Sequence, residues 1–499
     1  MDSRAIYKTI GTSSVVYSAG IIASRMASFL MLPIYTRYLT PRDYGVMELL
    51  DITMTIFAML VAGRFGEALF YFYSNTETPA AKQKTVATTV FGGWLVGGAG
   101  GLIGIVVAPG LSALVFQNRE YSHFFRITLL SFALSIPIET GMSWLRAINR
   151  PISYVVTSLI RLVLAVGFSL FFVVVCRMEV AGVLWSNLAT SLIMAVGLSV
   201  VCIRRTVLAF DRGLFKRLLK FAAPMGIGGL ALFIIHSGDR FFLQRVVSLA
   251  AIGIYALAYK LGMLVNQVQI AFGTYWTAHA YSIVRGEDSA RHYARVNTYM
   301  MFFMIWSGLA ISLFSRPLMT VMLAPRFLPS VQYVPWIVVA YIIRAEADYF
   351  RISLYLDAKT VTDAVLNWEA GLFCIAAYAL LIPRYELWGA VAATVVTFAF
   401  LMFLARYKSY RVRPYALERR RLAHLTGIAV VFLGALLWME HLRAWQQWAV
   451  AIVLTLSYPC LLYATKFWFP GEKAAIQEAV ATARQWLNRP AAVEKEGSA

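Results

Sequence analysis

Long apolar stretches recur along this chain, and they constrain its fold more than any other feature. We find fourteen segments near the length of about 20 residues that a helix needs to cross a bilayer. Only 14% of the residues are charged and 60% are hydrophobic, whereas soluble domains carry about 25% charge. We therefore expect an all-α polytopic membrane protein with about fourteen transmembrane helices. The predicted spans centre on Ala23, Phe57, Gly97, Leu134, Leu164, Thr190, Leu232, Leu261, Ile305, Ile342, Phe373, Thr397, Val431 and Leu454.

The distribution of basic residues predicts how the chain lies in the membrane. Its net charge is +20, but the basic residues interrupt apolar runs instead of forming one polar face, so we expect no nucleic-acid partner. With the N-terminus in the cytoplasm, most Lys and Arg residues fall in cytoplasmic loops. The densest loops run from Arg204 to Lys220 and from Arg406 to Arg421. We predict that both termini are cytoplasmic.

The chain contains a weak internal repeat. Thr40 and Gly45 correspond to Ser248 and Gly253 at an offset of 208 residues. The segment 149–151 matches 357–359 at the same offset, and Gly182 matches Gly389 at 207. We predict two similar six-helix lobes, 1–210 and 211–415, followed by two transmembrane helices in 416–470 and a cytoplasmic amphipathic tail in 471–499. Because six is even, the lobes share one orientation and enclose a central cavity.

Two stretches carry a resemblance to a known family. Residues 32–50, LPIYTRYLTPRDYGVMELL, and 237–261, SGDRFFLQRVVSLAAIGIYALAYKL, resemble signatures of Wzx-type oligosaccharide flippases, which belong to the multidrug/oligosaccharidyl-lipid/polysaccharide (MOP) superfamily beside MATE exporters and MurJ flippases. The resemblance implies a MATE/MurJ-like fold in a bacterial inner membrane. It implies translocation of undecaprenyl-pyrophosphate-linked oligosaccharide from the cytoplasmic to the periplasmic leaflet by alternating access, as in O-antigen export. Polysaccharide polymerase and glycosyltransferases are its implied partners, besides membrane lipids.

Basic residues inside the predicted spans are the candidate substrate-binding groups. Arg25 shares a helical face with three serines, Ser14, Ser18 and Ser28, and a charge at this depth normally faces a bundle interior or cavity. Lys260 lies about 15 Å inside the eighth span. By resemblance, spans one, two, seven and eight line the cavity, which would bring Arg25 and Lys260 together. Arg240 and Arg64 are weaker candidates, since snorkelling to a membrane surface also explains them.

Two acids near these cations admit two interpretations. Asp51 and Asp239 could couple transport to protons or sodium ions, or they could be counter-ions of Arg25 and Arg240. We favour the counter-ion interpretation. The four cysteines lie in apolar runs without the spacing of a metal site, so the sequence predicts neither a metal nor a cofactor.

Other functions remain as alternatives. A MATE-like, cation-coupled exporter of small molecules would need acidic groups in the first lobe, and Asp51 is present, but Arg25 and Lys260 argue against it. A MurJ-like lipid II flippase is a second alternative. A membrane glycosyltransferase or polymerase would need paired acids in an early outer loop or one long outer loop, and neither occurs. No nucleotide-binding or metalloprotease motif occurs either, so we predict no catalytic residues.

Overall fold

The protein is described from a computed structural model that covers residues 31–59, 65–206, 209–228, 230–283, 289–414, 417–465, 467–474 and 477–478. Within these ranges the secondary structure is helical and contains no β-strand. The all-α prediction is confirmed. The first predicted span, centred on Ala23, and most of the predicted tail lie outside the described residues.

The helices follow one another with short connections. In chain order they are α1 (Leu32–Tyr38), α2 (Pro41–Phe57), α3 (Phe65–Ser74), α4 (Pro79–Phe116), α5 (Ser122–Ala147), α6 (Pro151–Ser169, continued by a π-helical turn, Leu170–Val175), α7 (Glu179–Ile203), α8 (Arg212–Gly228), α9 (Leu230–Ser237), α10 (Asp239–Leu243), α11 (Leu249–Gly262), α12 (Val265–Ile283), α13 (Ser289–Met322), a 3₁₀ segment (Pro325–Tyr333), α14 (Val334–Leu356), α15 (Thr360–Val412), α16 (Arg419–Met439) and α17 (Ala444–Ala464).

Ten of the described helices are long and apolar enough to cross a membrane. They contain the predicted centres from Gly97 to Thr190 and all those from Leu261 onward. The 53-residue helix α15 contains two predicted centres because Glu386, with φ of 51°, breaks it into two helices. The protein is therefore a multi-pass membrane protein. The total of fourteen spans stays a prediction.

The described residues form two compact units. The first draws on Met1–Leu264 and Leu318–Arg413, and the second on Val265–Pro317 and Pro414–Ala499. Elements from both predicted lobes thus contribute to the first unit. The predicted lobe boundaries stay a prediction.

In the second unit, α16 and α17 pack with α13. Trp306 Nε1 on α13 donates a hydrogen bond to the carbonyl oxygen of Thr455 on α17, at 2.8 Å. Arg421, near the start of α16, pairs with Glu418 at 2.8 Å and with Glu472 at 2.9 Å. The pair with Glu418 is local to the start of α16, and the pair with Glu472 fastens this start to the chain that follows α17.

The internal repeat is visible in how its helices begin. Thr40 caps α2 by accepting a hydrogen bond from Asp43 N at 3.2 Å, and Ser248 caps α11 by accepting one from Ala251 N at 3.2 Å. A side-chain oxygen at this position satisfies one of the free N–H groups of the first helical turn. The matched Thr40 and Ser248 therefore start equivalent helices.

The second match is shifted by one residue from the predicted alignment. The left-handed residues that end α5 and α14 are Asn149, with φ of 54°, and Ala358, with φ of 55°. In both turns the next amide donates to the carbonyl five residues earlier, Arg150 to Leu145 at 3.1 Å and Lys359 to Leu354 at 2.8 Å. This pattern is the Schellman motif. The predicted pairing of Asn149 with Asp357 is therefore wrong, because the turn geometry aligns Asn149 with Ala358.

The start of α8 is held by Asp211. One carboxylate oxygen accepts hydrogen bonds from the backbone N–H groups of Gly213 and Leu214, at 2.8 and 3.0 Å, and the other pairs with Lys84 Nζ at 2.8 Å. The bond to Lys84, followed by the backbone bond from Leu214, lowers the pKa of Asp211 to about 2. The charged form of Asp211 thus fixes the start of α8 against α4.

We expect Asp211→Asn to lower the thermal midpoint of the purified protein at pH 7. Because the folded-state pKa lies below the ordinary value, the charge of Asp211 stabilises the fold above about pH 4 and loses this effect as the pH falls towards 2. The difference between the two proteins should therefore shrink between pH 7 and pH 3. Lys84→Gln should lower the midpoint similarly and add little to Asp211→Asn. Additive effects of the two substitutions would contradict the pairing.

Candidate functional site

The described residues include four of the nine predicted site residues: Asp51, Asp239, Arg240 and Lys260. All four lie in the first unit, on α2, α10 and α11. The other five lie outside the described residues, and their roles stay predictions. They are Ser14, Ser18, Arg25, Ser28 and Arg64.

Helices α2 and α11 cross in direct backbone contact near their first turns. A Cβ atom on Gly45 would lie 1.9 Å from the carbonyl oxygen of Leu249, and a Cβ atom on Gly253 would lie 1.9 Å from the carbonyl oxygen of Pro41. Pro41 and Leu249 are separated by the same 208 residues as the two glycines. The contact is therefore reciprocal, and only glycine fits at either position.

Arg326, in the 3₁₀ segment, binds the end of α1, which directly precedes α2. Its Nη2 atom lies 3.1 Å from the carbonyl oxygen of Thr36 and 3.0 Å from those of Arg37 and Leu39. These carbonyls end α1, where the helix itself supplies no donor. The next residue, Phe327, packs edge-on against Tyr44 of α2, with ring centroids 5.1 Å apart. Sequence reasoning missed Arg326, because a single loop arginine carries no signal of its partners.

One turn further along α2, a buried ion pair joins it to α10. Arg240 Nε donates to Glu48 Oε1 at 3.2 Å, and its Nη1 donates to Asp239 Oδ1 at 2.7 Å. Asp239 also accepts a hydrogen bond from Tyr255 Oη at 2.6 Å. The Arg240 side chain is only 4% exposed. Its guanidinium is thus engaged with protein groups, a geometry that favours the counter-ion interpretation of Asp239.

Tyrosine rings complete the surroundings of Arg240. Its guanidinium carbon lies 4.0 Å from the ring centroid of Tyr259 and 5.2 Å from that of Tyr255. A cation over an aromatic face is stabilised by about 0.5 to 2 kcal/mol, depending on its desolvation. Both tyrosines lie on α11, so this helix contributes aromatic faces as well as the glycine contact.

The Lys260 side chain is exposed, whereas Arg240 is buried. Lys260 is the one exposed residue of α11, a helix whose residues are all described and mostly buried. Its Nζ atom lies 5.8 Å from the ring centroid of Tyr44. Asp51 on α2 is likewise exposed, and its carboxylate interacts electrostatically with Lys260 and Glu48. Lys260 and Asp51 are therefore two exposed, oppositely charged residues that interact across α2 and α11.

A row of alternating charges continues along α14. Arg344 Nε pairs with Asp348 at 3.3 Å. Arg351 bridges Asp348 at 2.9 Å and Asp363 at 2.6 Å. The i,i+4 and i,i+3 spacing of Arg344, Asp348 and Arg351 inside an apolar segment is a sequence signal for this row, but the partner on α15, Asp363, is not predictable from spacing.

His236 connects this row to Arg240. Its Nδ1 atom lies 3.1 Å from Arg344 Nη1 and 3.1 Å from Tyr341 Oη. Because a guanidinium only donates hydrogen bonds, Nδ1 is the acceptor and the ring proton is on Nε2. The His236 carbonyl oxygen accepts a hydrogen bond from Arg240 Nη1 at 2.9 Å. Ionic and polar contacts thus run from Glu48 on α2 to Asp363 on α15.

Solved structures share this fold. The chain matches "Lipid II flippase MurJ, inward closed conformation" with a TM-score of 0.71 at 13% identity, covering 90% of this chain and 99% of that one. It matches "Inward-facing conformation of a multidrug resistance MATE family transporter of the MOP superfamily" with a TM-score of 0.63 at 12% identity, covering 80% and 95%. For "Crystal structure of MATE in the bent conformation", the TM-score is 0.52 at 14% identity, with 85% and 97% covered.

Comparison of the sequence with known families identifies the family to which the chain belongs. No curated protein matches the chain. The family described as "Polysaccharide biosynthesis protein" matches residues 10–276, more than half of the chain, including both glycines of the crossing, Arg240 and Lys260. The solved structures show the fold, and the family match shows that the chain belongs to the family described as "Polysaccharide biosynthesis protein".

Proposed function

We propose that this protein is a flippase that moves undecaprenyl-pyrophosphate-linked oligosaccharide from the cytoplasmic to the periplasmic leaflet of a bacterial inner membrane. The observation that carries the proposal is Lys260, the one exposed residue of an otherwise largely buried α11, facing α2. A cation kept open to a polar space inside a membrane protein is characteristic of a substrate path. The family adds polysaccharide biosynthesis as the context.

The chemistry of the substrate fits such a site. Its diphosphate carries about two negative charges, which a lysine can bind as a point charge in a partly desolvated cavity. Arg25, with its serine stripe, is the proposed second cation. Arg240 is held by Glu48 and Asp239 in this conformation, so we assign it the positioning of α2 and α10, and direct substrate contact only after Glu48 has moved away.

The closed crossing of α2 and α11 fits one half of an alternating-access cycle. The basic-residue bias assigns this end of the protein to the periplasm. With the glycine contact and the Arg326 bonds intact, the cavity is closed on that side, and the head group enters from the cytoplasm. Separating α2 from α11 then releases it outside, while the lipid tail remains in the bilayer.

The membrane potential can supply a driving force without a coupled ion. Moving one negative charge outward through an inside-negative potential yields about 2.3 kcal/mol per 100 mV, hence about 4 to 5 kcal/mol for a diphosphate. We therefore propose no obligatory proton or sodium coupling through Asp51, and no catalytic step.

We expect Lys260→Ala to reduce the rate of head-group translocation at least tenfold, because the diphosphate loses its point-charge partner, and Lys260→Arg to retain most of it. The measurement is protection of a fluorescent polyprenyl-diphosphate oligosaccharide in proteoliposomes containing the purified full chain. Arg25→Ala should act like Lys260→Ala, and Arg25→Lys should retain some transport.

The matched control is Lys359→Ala, which removes an exposed lysine at the start of α15 and should leave transport unchanged. Normal translocation by a correctly inserted Lys260→Ala protein would refute the cationic site. Equal transport of lipid II would favour the MurJ-like alternative, and proton-dependent export of a cationic drug would favour the MATE-like one.

We expect Gly253→Val to keep the periplasmic end from closing, since its side chain would overlap the carbonyl of Pro41. Tyr44 is buried in the closed form. The substitution Tyr44→Cys, made in a protein whose native cysteines have been replaced, therefore reports whether this end is open or closed. An impermeant maleimide added from the periplasmic side should label Tyr44→Cys faster by about tenfold in the Gly253→Val protein.

Gly98→Val is the control for this substitution, because no atom lies within 4 Å of the position that its Cβ would occupy. It should leave both labelling and transport unchanged. Unchanged labelling of Tyr44→Cys in the Gly253→Val protein would exclude the glycine contact as the closing element.

A further inference from the structure

Helix α8 begins with a basic face that no function described so far uses. Arg212, Lys216, Arg217 and Lys220 are all exposed. At about 100° per residue they lie within an arc of about 140°, and the first and last are about 12 Å apart along the axis. Their side chains thus form a row on one side of the helix.

The opposite side of α8 is buried against the protein. Leu214, Leu218 and Ala222 belong to an apolar cluster with Phe65 and Ala68 of α3. Phe215 packs edge-on against Phe65, with ring centroids 6.3 Å apart. Because this packing fixes the rotation of α8, the basic row points away from the protein.

Among the described residues we find no acid that neutralises the basic row. None of its four residues forms an ion pair within the part of the chain that the structure describes. Asp211, the adjacent acid, is occupied by Lys84 at 2.8 Å. Two more exposed cations, Arg204 and Arg205, precede the row at the end of α7.

The position of the row along the chain places it at a membrane surface. No Asp, Glu, Lys or Arg occurs between Lys220 and Asp239, so the helix turns apolar directly after the row. A basic segment immediately beside a membrane-embedded stretch is attracted to anionic lipid head groups. The long side chains can also extend towards those head groups while their stems cover apolar surface.

We infer that the basic face of α8, formed by Arg212, Lys216, Arg217 and Lys220, binds the head groups of anionic phospholipids in the cytoplasmic leaflet. The four cations are spread along the helix instead of converging on one point, an arrangement that suits several lipid phosphates and not a single diphosphate. Bound lipid would hold the helix that leads from the first predicted lobe into the second at the membrane surface. The inference rests on the predicted orientation and not on the proposed glycan substrate.

The test measures lipid binding to the purified full chain by native mass spectrometry. Phosphatidylglycerol and phosphatidylcholine with the same acyl chains are titrated separately. The unmodified protein should bind phosphatidylglycerol at least tenfold more tightly. The double variant Lys216→Gln/Arg217→Gln should lose about tenfold of that affinity, because two surface charges are removed, while its binding of phosphatidylcholine stays the same.

A matched variant, Arg119→Gln/Arg126→Gln, removes two exposed charges around the start of α5, on the predicted periplasmic side, and should lose less than twofold. Equal losses in the two variants would show that net charge, and not the α8 face, attracts the lipid.

A second experiment uses farnesyl diphosphate as the ligand. If it binds to the same face much more tightly than phosphatidylglycerol, the face binds prenyl diphosphates and the inference fails. Raising the salt concentration on the unmodified protein is a check independent of any variant, and binding that is insensitive to salt would also overturn it.

Discussion

The crossing of α2 and α11 is the contact on which the site depends. Two carbonyl oxygens occupy the space that Cβ atoms of Gly45 and Gly253 would fill, so the helix axes approach more closely than ordinary side chains allow. This close approach sets which residues of α2 meet α10 and α11 in the following helical turns. Glu48 follows Gly45 by one turn and meets Arg240, and Asp51 follows by a second turn and interacts with Lys260.

Three arginines in the interior of the first unit have carboxylate partners. A charged group at the bilayer centre costs about 2.5 to 3.5 kcal/mol on insertion scales. Arg240, Arg344 and Arg351 each lie beside at least one carboxylate, at distances between 2.6 and 3.3 Å. Against this paired background, the exposure of Lys260 stands out. The structural arginines stabilise the helix arrangement, whereas Lys260 is the exposed cation that we propose binds the substrate.

Sequence reasoning predicted the elements whose signals are local. Apolar length indicated the membrane helices, and the match of Thr40 with Ser248 indicated a repeat, whose two positions the structure shows to be helix starts. It did not predict that Gly45 and Gly253 touch each other's helices, because a repeat shows that two segments are alike and not that they meet. Arg326 and the Arg351–Asp363 pair were missed for a related reason: their partners lie far away in the chain, and only the folded backbone brings them together.

In the proposed cycle, opening the predicted periplasmic end separates Glu48 from Arg240, and the placement of Asp239 limits the free energy that this separation requires. Removing the partner of a buried charge destabilises a protein by about 3 to 5 kcal/mol, comparable with the energy that the membrane potential provides for a diphosphate. Asp239 precedes Arg240 in the chain and bonds to it at 2.7 Å, so it moves with Arg240 when α2 departs. The arginine therefore keeps one counter-ion throughout the movement, and Glu48 is the group that gains access to water. A contact made of glycines and carbonyls adds no interlocking side chains, so the ion pair and the Arg326 bonds are polar interactions that oppose the proposed opening in addition to apolar packing.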